Sequence, residues 1–409
     1  MPSEVPPAKA AAAASRWSVL DTFRGLAVLL MIQGHTFTAL VEKSTFQGWW
    51  VRLYTLFHGL TAPMFLVGGG LAYGMVSARR RGGHTRALDT RIVRRGLTLI
   101  ALGYALQWPQ VSLLRLPEYP AQFMAAFAIG PLQLVGLCLL LCELAWGLLR
   151  SRLAYRGCLL ALALGLTLCS PWAWQPHVSA SWAPPWGMWI DGYGGSLFPF
   201  FPWAAFFFLG VLASDMVPLA RRAPRLVACA LLGGGLAGAR VIYAMWERGE
   251  RLEWLYGEHE FWHTSPMYVG FRSLLVLAIL GALIALEPAC QAARRALPRA
   301  ARLFDTLSRQ SLVAYVTHLF VLYGTPFTAG IVRFGRVFDL REASVIFLGV
   351  ATYTLAIAVL WDHFEPAQLL GRLMRKLSRP EVDRVGERER DRVVASEQEL
   401  EPASTVDHR

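Results

Sequence analysis

Charge is scarce in this sequence. Of its 409 residues 17% are charged and 55% hydrophobic, and the mean hydropathy is +0.39, whereas a soluble globular chain carries about 25% charged residues. That shortage argues against a soluble domain. Alternating apolar and polar runs are absent, which argues against a membrane β-barrel. No two of the six cysteines (Cys138, Cys142, Cys158, Cys169, Cys229, Cys290) are spaced C-x-x-C, and all lie in or at the ends of apolar runs. They read as small packing residues and not as a disulfide framework. Residues 1–16 lack the charged start and apolar core of a signal peptide, so they are expected to be a disordered cytoplasmic lead-in before an uncleaved anchor helix. No internal repeat marks out inverted transporter halves.

What the chain has instead is apolar runs near twenty residues long, the length that crosses a bilayer as a helix. The candidate spans are 17–40, 53–77, 91–108, 123–149, 156–174, 197–216, 225–246, 267–287, 308–330 and 343–362. The net charge of +12 comes from short arginine clusters between the runs. Alternate connections, 79–95, 150–156, 217–225 and 291–302, hold seventeen arginines, against eight lysines and arginines in the others. This is the positive-inside pattern and not a nucleic-acid-binding face, so no nucleic-acid partner is expected. The expected fold is an all-α polytopic membrane protein of about ten transmembrane helices with both termini cytoplasmic. Residues 1–16 would be the lead-in, 17–365 the transmembrane domain and 366–409 a charged, disordered tail.

The run Leu20 to Leu40 is apolar, yet it contains Asp21, Arg24, Gln33 and His35. Ionisable groups inside hydrocarbon are costly and usually face a protein interior or a wet cavity. Arg24 and His35 are eleven residues apart, which places them on one helix face about 16 Å apart. Asp21, Arg24, Val28, Met31 and His35 form a stripe read here as one wall of an active site. Asp21 and Arg24 could equally be a snorkelling pair at a helix end. His58 in the second span is about level with His35, and His318 is deep in the ninth. Gly68-Gly69-Gly70 and Gly74 allow close helix approach. Arg240 and Arg272 fall in the outer halves of the seventh and eighth spans, where each either snorkels or faces an anionic group. Trp172, Trp174, Trp182, Trp186 and Trp189 crowd the 172–196 connection, as an interfacial belt or as a stacking platform for a sugar whose hydroxyls Asp191 would accept. His259-Glu260-Phe261-Trp262-His263 is formally the H-E-x-x-H zinc-protease pattern, but Gly257 and Pro266 bracket it too tightly for a helix. No metal site is expected.

The first span resembles the opening of transmembrane acyltransferases: Leu20-Asp21-x-x-Arg24-Gly25-Leu26-Ala27 followed by His35. Ala62-Pro63-Met64-Phe65-Leu66, then Phe198-Pro199-Phe200-Phe201-Pro202-Trp203 with Leu209-Gly210, and Ser311-Leu312 with Tyr315 and His318-Leu319 extend the likeness in order over about residues 17–365. The pattern is similar to the heparan-α-glucosaminide N-acetyltransferase catalytic-domain family and its acyltransferase-3-like relatives. One departure is Gly68-Gly69-Gly70, where family members often carry serine. The resemblance implies acyl transfer from acetyl-CoA, or a related acyl-CoA, to a sugar amine or hydroxyl of a glycan or glycolipid in a bacterial cytoplasmic membrane. On that reading His35, Arg24, His318 and Asp21 are the catalytic candidates. His58, Arg240, Arg272, Asp191 and Trp203 are the substrate-binding candidates. The lipid bilayer, the acyl-CoA and a sugar-containing acceptor are the expected partners, with a homodimer as the assembly considered. A transporter or flippase with a polar cavity is the main alternative, and a zinc protease a weaker one.

Overall fold

The structure is a computed structural model that describes residues 17–80, 88–108, 115, 118–149, 151–179, 181–182, 186–325 and 328–364. The expected lead-in, 1–16, and tail, 366–409, lie outside the described residues, as do residues 81–87 of the first arginine-rich connection. Helices α1 (Ser18–Leu40), α2 (Trp49–Arg80), α3 (Thr90–Gln107), α4 (Pro120–Phe127), α5 (Pro131–Leu148) and α6 (Arg152–Ala173) come first. The one-turn helices α7 (Pro176–Ser179) and α8 (Gly187–Ile190) follow, then α9 (Phe200–Ala213), α10 (Val217–Arg222) and α11 (Pro224–Glu247). After them come α12 (Glu253–Tyr256), α13 (Phe261–Thr264), α14 (Pro266–Ala285), α15 (Glu287–Ala296), α16 (Pro298–Arg309), α17 (Ser311–Tyr323) and α18 (Leu340–Phe364). Among the described residues the only strands are β1 (Gly324–Thr325) and β2 (Thr328–Ala329), an antiparallel pair.

Eight helical stretches are long and apolar enough to cross a membrane: α1, α2, α5, α6, α9 continued through α10, α11, α14 and α18. The protein is a helical polytopic membrane protein. Helix α3 follows the expected third span, but Arg91, Arg94 and Arg95 crowd its first turns. Two other expected spans are broken. The 123–149 run divides into α4 and α5 at Gly130-Pro131, because Pro131 opens a helix as its first residue and cannot continue one from before. The 308–330 run yields only the thirteen residues of α17, about 20 Å of helix against about 30 Å of hydrocarbon. It stops at Gly324, whose φ of 92° ends the helix and turns the chain into the β1–β2 pair. Such a broken element is tolerated at membrane depth when protein surrounds it, and α17 packs between α1 and α18.

Helix α9 lies near the centre of the bundle, against α2 and α6, with Phe206, Phe207 and Phe208 almost fully buried. Its approach to α2 is a backbone contact. A Cβ on Gly70 would strike the carbonyl of Phe207, and one on Gly210 would strike the carbonyl of Val67, so the glycines of the second span serve packing. Large apolar side chains stay exposed on the outer flanks, among them Leu160, Leu164 and Leu168 of α6, Leu236 and Val241 of α11, and Val345 and Leu348 of α18. Lipid, not water, is the solvent such surfaces suit.

Helix α1 contacts α2, α14, α16, α17 and α18. Its arginine-rich end is tied down by polar contacts. Ser18 donates to Glu287 at 2.6 Å, and Arg294 grips Asp305 through two bonds of 2.7 and 2.9 Å while reaching Thr22 at 3.3 Å. Gly25 leaves room for the Phe304 ring of α16.

Candidate active site

Helices α1 and α17 run side by side, and their polar residues meet at two levels. At the arginine-rich level, Nη2 of Arg24 donates to the Ser311 hydroxyl at 2.8 Å. Asp21 lies one turn earlier on the same helix. Between the levels, Val28, Met31 and Ile32 pack with Ala314, Leu322 and Val350. The stripe expected along α1 is therefore polar at its two ends and apolar in its middle.

At the second level three imidazoles gather. The ring centroids of His35 and His318 are 5.3 Å apart. His318 is fully buried, and its Nδ1 lies 2.8 Å from the Ala314 carbonyl. A carbonyl only accepts, so Nδ1 carries the proton and Nε2 of the neutral ring bears the lone pair. That Nε2 is buried and has no hydrogen-bond partner among the described residues. His35 sits half-buried with Nδ1 at 3.2 Å from the Tyr323 hydroxyl. His58 leans against α1 at Gly34, where a Cβ would collide with its ring. The ring also stacks on Tyr54, with centroids 5.6 Å apart and an interplanar angle of 5°. The Tyr54 hydroxyl donates to the Gly34 carbonyl at 3.4 Å, and the His58 Nδ1 is buried and unpartnered among the described residues. Buried polar atoms are normally paired, and a bare imidazole nitrogen on His318, beside the ring of His35, suits proton transfer or nucleophilic attack.

Arg272 lies next to this stretch of α2: a Cβ on Gly59, the residue after His58, would sit 3.7 Å from its Nη2. Its guanidinium covers the Tyr268 ring at 4.0 Å, faces Trp203 at 5.7 Å and donates to the Tyr268 hydroxyl at 2.8 Å. Arg240 is placed differently. Its side chain is 68% exposed and lies 3.6 Å from Glu247, outside the imidazole cluster. Asp191 is also separate. It is 2% exposed, one oxygen accepts the Tyr193 backbone N–H at 3.0 Å, and the other has no partner among the described residues. Beside it Trp174 stacks on His263 at 5.9 Å and donates its indole N–H to Phe201 at 2.9 Å. Desolvation, with the carboxylates of Asp191 and Glu260, pushes the Tyr193 phenol up.

His259 precedes the four-residue helix α13, and its Nδ1 lies 3.0 Å from the Gly257 carbonyl, while His263 contacts Glu260 at 3.2 Å. The H-E-x-x-H residues thus do not share one helix face, the arrangement through which that pattern binds zinc. Among the described residues no group of three His, Cys, Asp or Glu side chains is gathered closely enough to hold a metal ion.

Tyr323, Tyr54 and Gly34 complete the cluster and were not singled out by sequence. Nothing marks two tyrosines among twelve, or one glycine among thirty-six. Tyr323 is set by the end of α17 at Gly324, and Gly34 matters only because His58 arrives from another helix.

Fold and site together define a polytopic helical membrane protein with imidazoles gathered inside its bundle. Residues 16–232 match the family model described as heparan-alpha-glucosaminide N-acetyltransferase, catalytic. The match spans more than half of the chain, and the chain belongs to that family: it is a membrane acetyltransferase in kind. The matched residues include Asp21, Arg24, His35, His58, Asp191 and Trp203 and end before Arg240, Arg272 and His318. No protein of curated function matches the sequence.

Proposed function

We propose that this protein takes an acetyl group from acetyl-CoA at its arginine-rich, cytosolic end and transfers it to an amine or hydroxyl of a sugar-containing acceptor in the bacterial cell envelope. The observation that carries the reading is the bare Nε2 of His318 beside His35. Acetyl transfer needs a base to take the proton of the attacking amine or hydroxyl. Nδ1 of His318 is already committed to Ala314, so Nε2 is the atom that accepts. As the proton moves to Nε2, the acceptor nitrogen or oxygen bonds to the thioester carbonyl carbon. The carbon–sulfur bond then breaks, and the proton passes to the departing thiolate to give free CoA thiol. His35, whose ring centroid is 5.3 Å from that of His318, would relay that proton or carry the acetyl group itself between donor and acceptor.

Arg24 is the residue assigned to the donor. One N–H rests on the neutral Ser311 hydroxyl, which leaves the rest of the fork for a phosphate oxygen, and guanidinium geometry suits phosphate. Asp21 would orient it. The apolar stretch of Val28 and Met31 lies between donor anchor and imidazoles, and a phosphate-anchored carrier with an extended, uncharged arm is the kind of donor that spans it.

The test is mass spectrometry of envelope glycans and glycolipids from cells with and without the protein. An acetyl-sized mass difference confined to the expressing cells is expected. Identical glycan profiles, together with no turnover of acetyl-CoA by the purified protein, would refute the proposal.

A further inference from the structure

A second feature lies beside the imidazole file. Helices α2, α11, α13 and α14 line a half-open cavity of about 710 Å³ whose walls include Leu56, Trp246, Trp262 and Met267. This is the size of a site for a sizeable organic molecule. Its charged lining consists of Arg52 and Arg272, with no carboxylate. Nε of Arg272 is buried without a hydrogen-bond acceptor among the described residues, and the only acceptor seen for the guanidinium is the neutral Tyr268 hydroxyl. A guanidinium within a membrane span is normally paired, and among the described residues no carboxylate lies in this lining.

Its depth narrows the occupant. Arg272 lies six residues into α14, about 9 Å below the helix start, and Arg52 three residues into α2, about 5 Å. Tyr243, Trp246, Trp262 and Tyr268 ring the cavity at the same end, the residue types that sit at headgroup level in membranes. Leu53 and Phe57 alternate with the lining residues of α2, Val241 precedes the lining residue Ile242 of α11, and all three are exposed, an apolar surface that suits lipid. Cations near the headgroup depth above apolar walls are complementary to a phosphate with an attached hydrocarbon chain.

We propose that this cavity binds an anionic, phosphate-bearing membrane lipid from the side, with its phosphate on Arg272 and Arg52 and its chain along Leu56 and Leu60. The inference deepens the acetyltransferase reading and rests on it in one respect: the bound lipid is the acceptor, its headgroup held next to His58. A lipid-anchored acceptor would reach the imidazoles without leaving the bilayer.

The test uses the full-length protein in detergent micelles doped with phosphatidylglycerol or phosphatidylcholine, and native mass spectrometry of the retained lipid. Wild-type protein is expected to keep phosphatidylglycerol at least tenfold better than phosphatidylcholine. The double variant Arg52→Gln/Arg272→Gln is expected to lose that preference. A steric variant, Leu56→Trp, fills the cavity without touching charge and is expected to lower retention as well; thermal unfolding of each variant identifies any that fails to fold. Equal retention of the two lipids by wild-type protein would overturn the proposal, as would undiminished retention by folded variants or displacement by soluble glycerol phosphate at equal concentration. Acetyl transfer from acetyl-CoA by wild-type protein, to a glycolipid extract and to free glucosamine, is measured separately. Transfer without lipid preference sinks this inference alone, whereas lipid preference without any transfer sinks the acetyltransferase reading.

Discussion

Nδ1 of His318 is held by the Ala314 carbonyl, while Nδ1 of His35 meets a hydroxyl that both donates and accepts. The first ring is therefore locked in one tautomer and the second is free to change, as a relay requires. Tyr323→Phe keeps the ring packed edge-on to His35 and removes only the hydroxyl. It is expected to lower kcat by about threefold to tenfold, the equivalent of roughly 1 kcal/mol for one hydrogen bond, with thermal stability retained. An unchanged kcat would remove Tyr323 from the machinery. At this scale the sequence is informative because polar groups are so few. A histidine in an apolar run stands out, and His35, His58 and His318 all prove to be neighbours. The two arginines did not separate in the same way. Arg240 and Arg272 occupy equivalent depths in adjacent spans, and only the packed helices reveal that one turns out to Glu247 and the other inward between Tyr268 and Trp203.

Between α1 and α2 the register depends on one missing side chain. Gly34 gives its space to the His58 ring, and the ring is the mobile end of a side chain, not backbone. Gly34→Ala should therefore shift His58 without unfolding the pair, since alanine also favours the helix by up to about 1 kcal/mol. The expected outcome is a melting temperature close to that of wild type and a clear fall in acetyl transfer. Full activity in this variant would show His58 to be dispensable. Long, uninterrupted helices such as α2, α6, α11 and α18 were legible in the sequence because hydrophobic length alone specifies them. The breaks were harder to read. Gly130-Pro131 interrupts an apolar run without changing its hydropathy, and α17 ends where Gly324 takes a positive φ that composition does not reveal. The short α17 is also what brings Tyr323 level with His35.

Along the sequence, arginine clusters fall in alternate connections and tryptophans crowd the 172–196 connection between them. On the positive-inside rule the arginine-rich end is expected to face the cytosol. Alkaline phosphatase fused after Gly249 should be active, and fused after Leu297 inactive; the reverse pattern would invert the donor and acceptor sides. The family match covers the first half of this architecture, whereas His318 and Arg272 come from the second, so the complete site depends on packing between the two. The most direct test of the account is turnover of radiolabelled acetyl-CoA, with a glycolipid extract as acceptor, by reconstituted wild-type and His318→Ala proteins whose unfolding temperatures agree. Loss of the buried base should lower transfer by about 10²- to 10⁴-fold. Transfer at the wild-type rate by the folded variant would contradict the central claim that this imidazole performs the proton step.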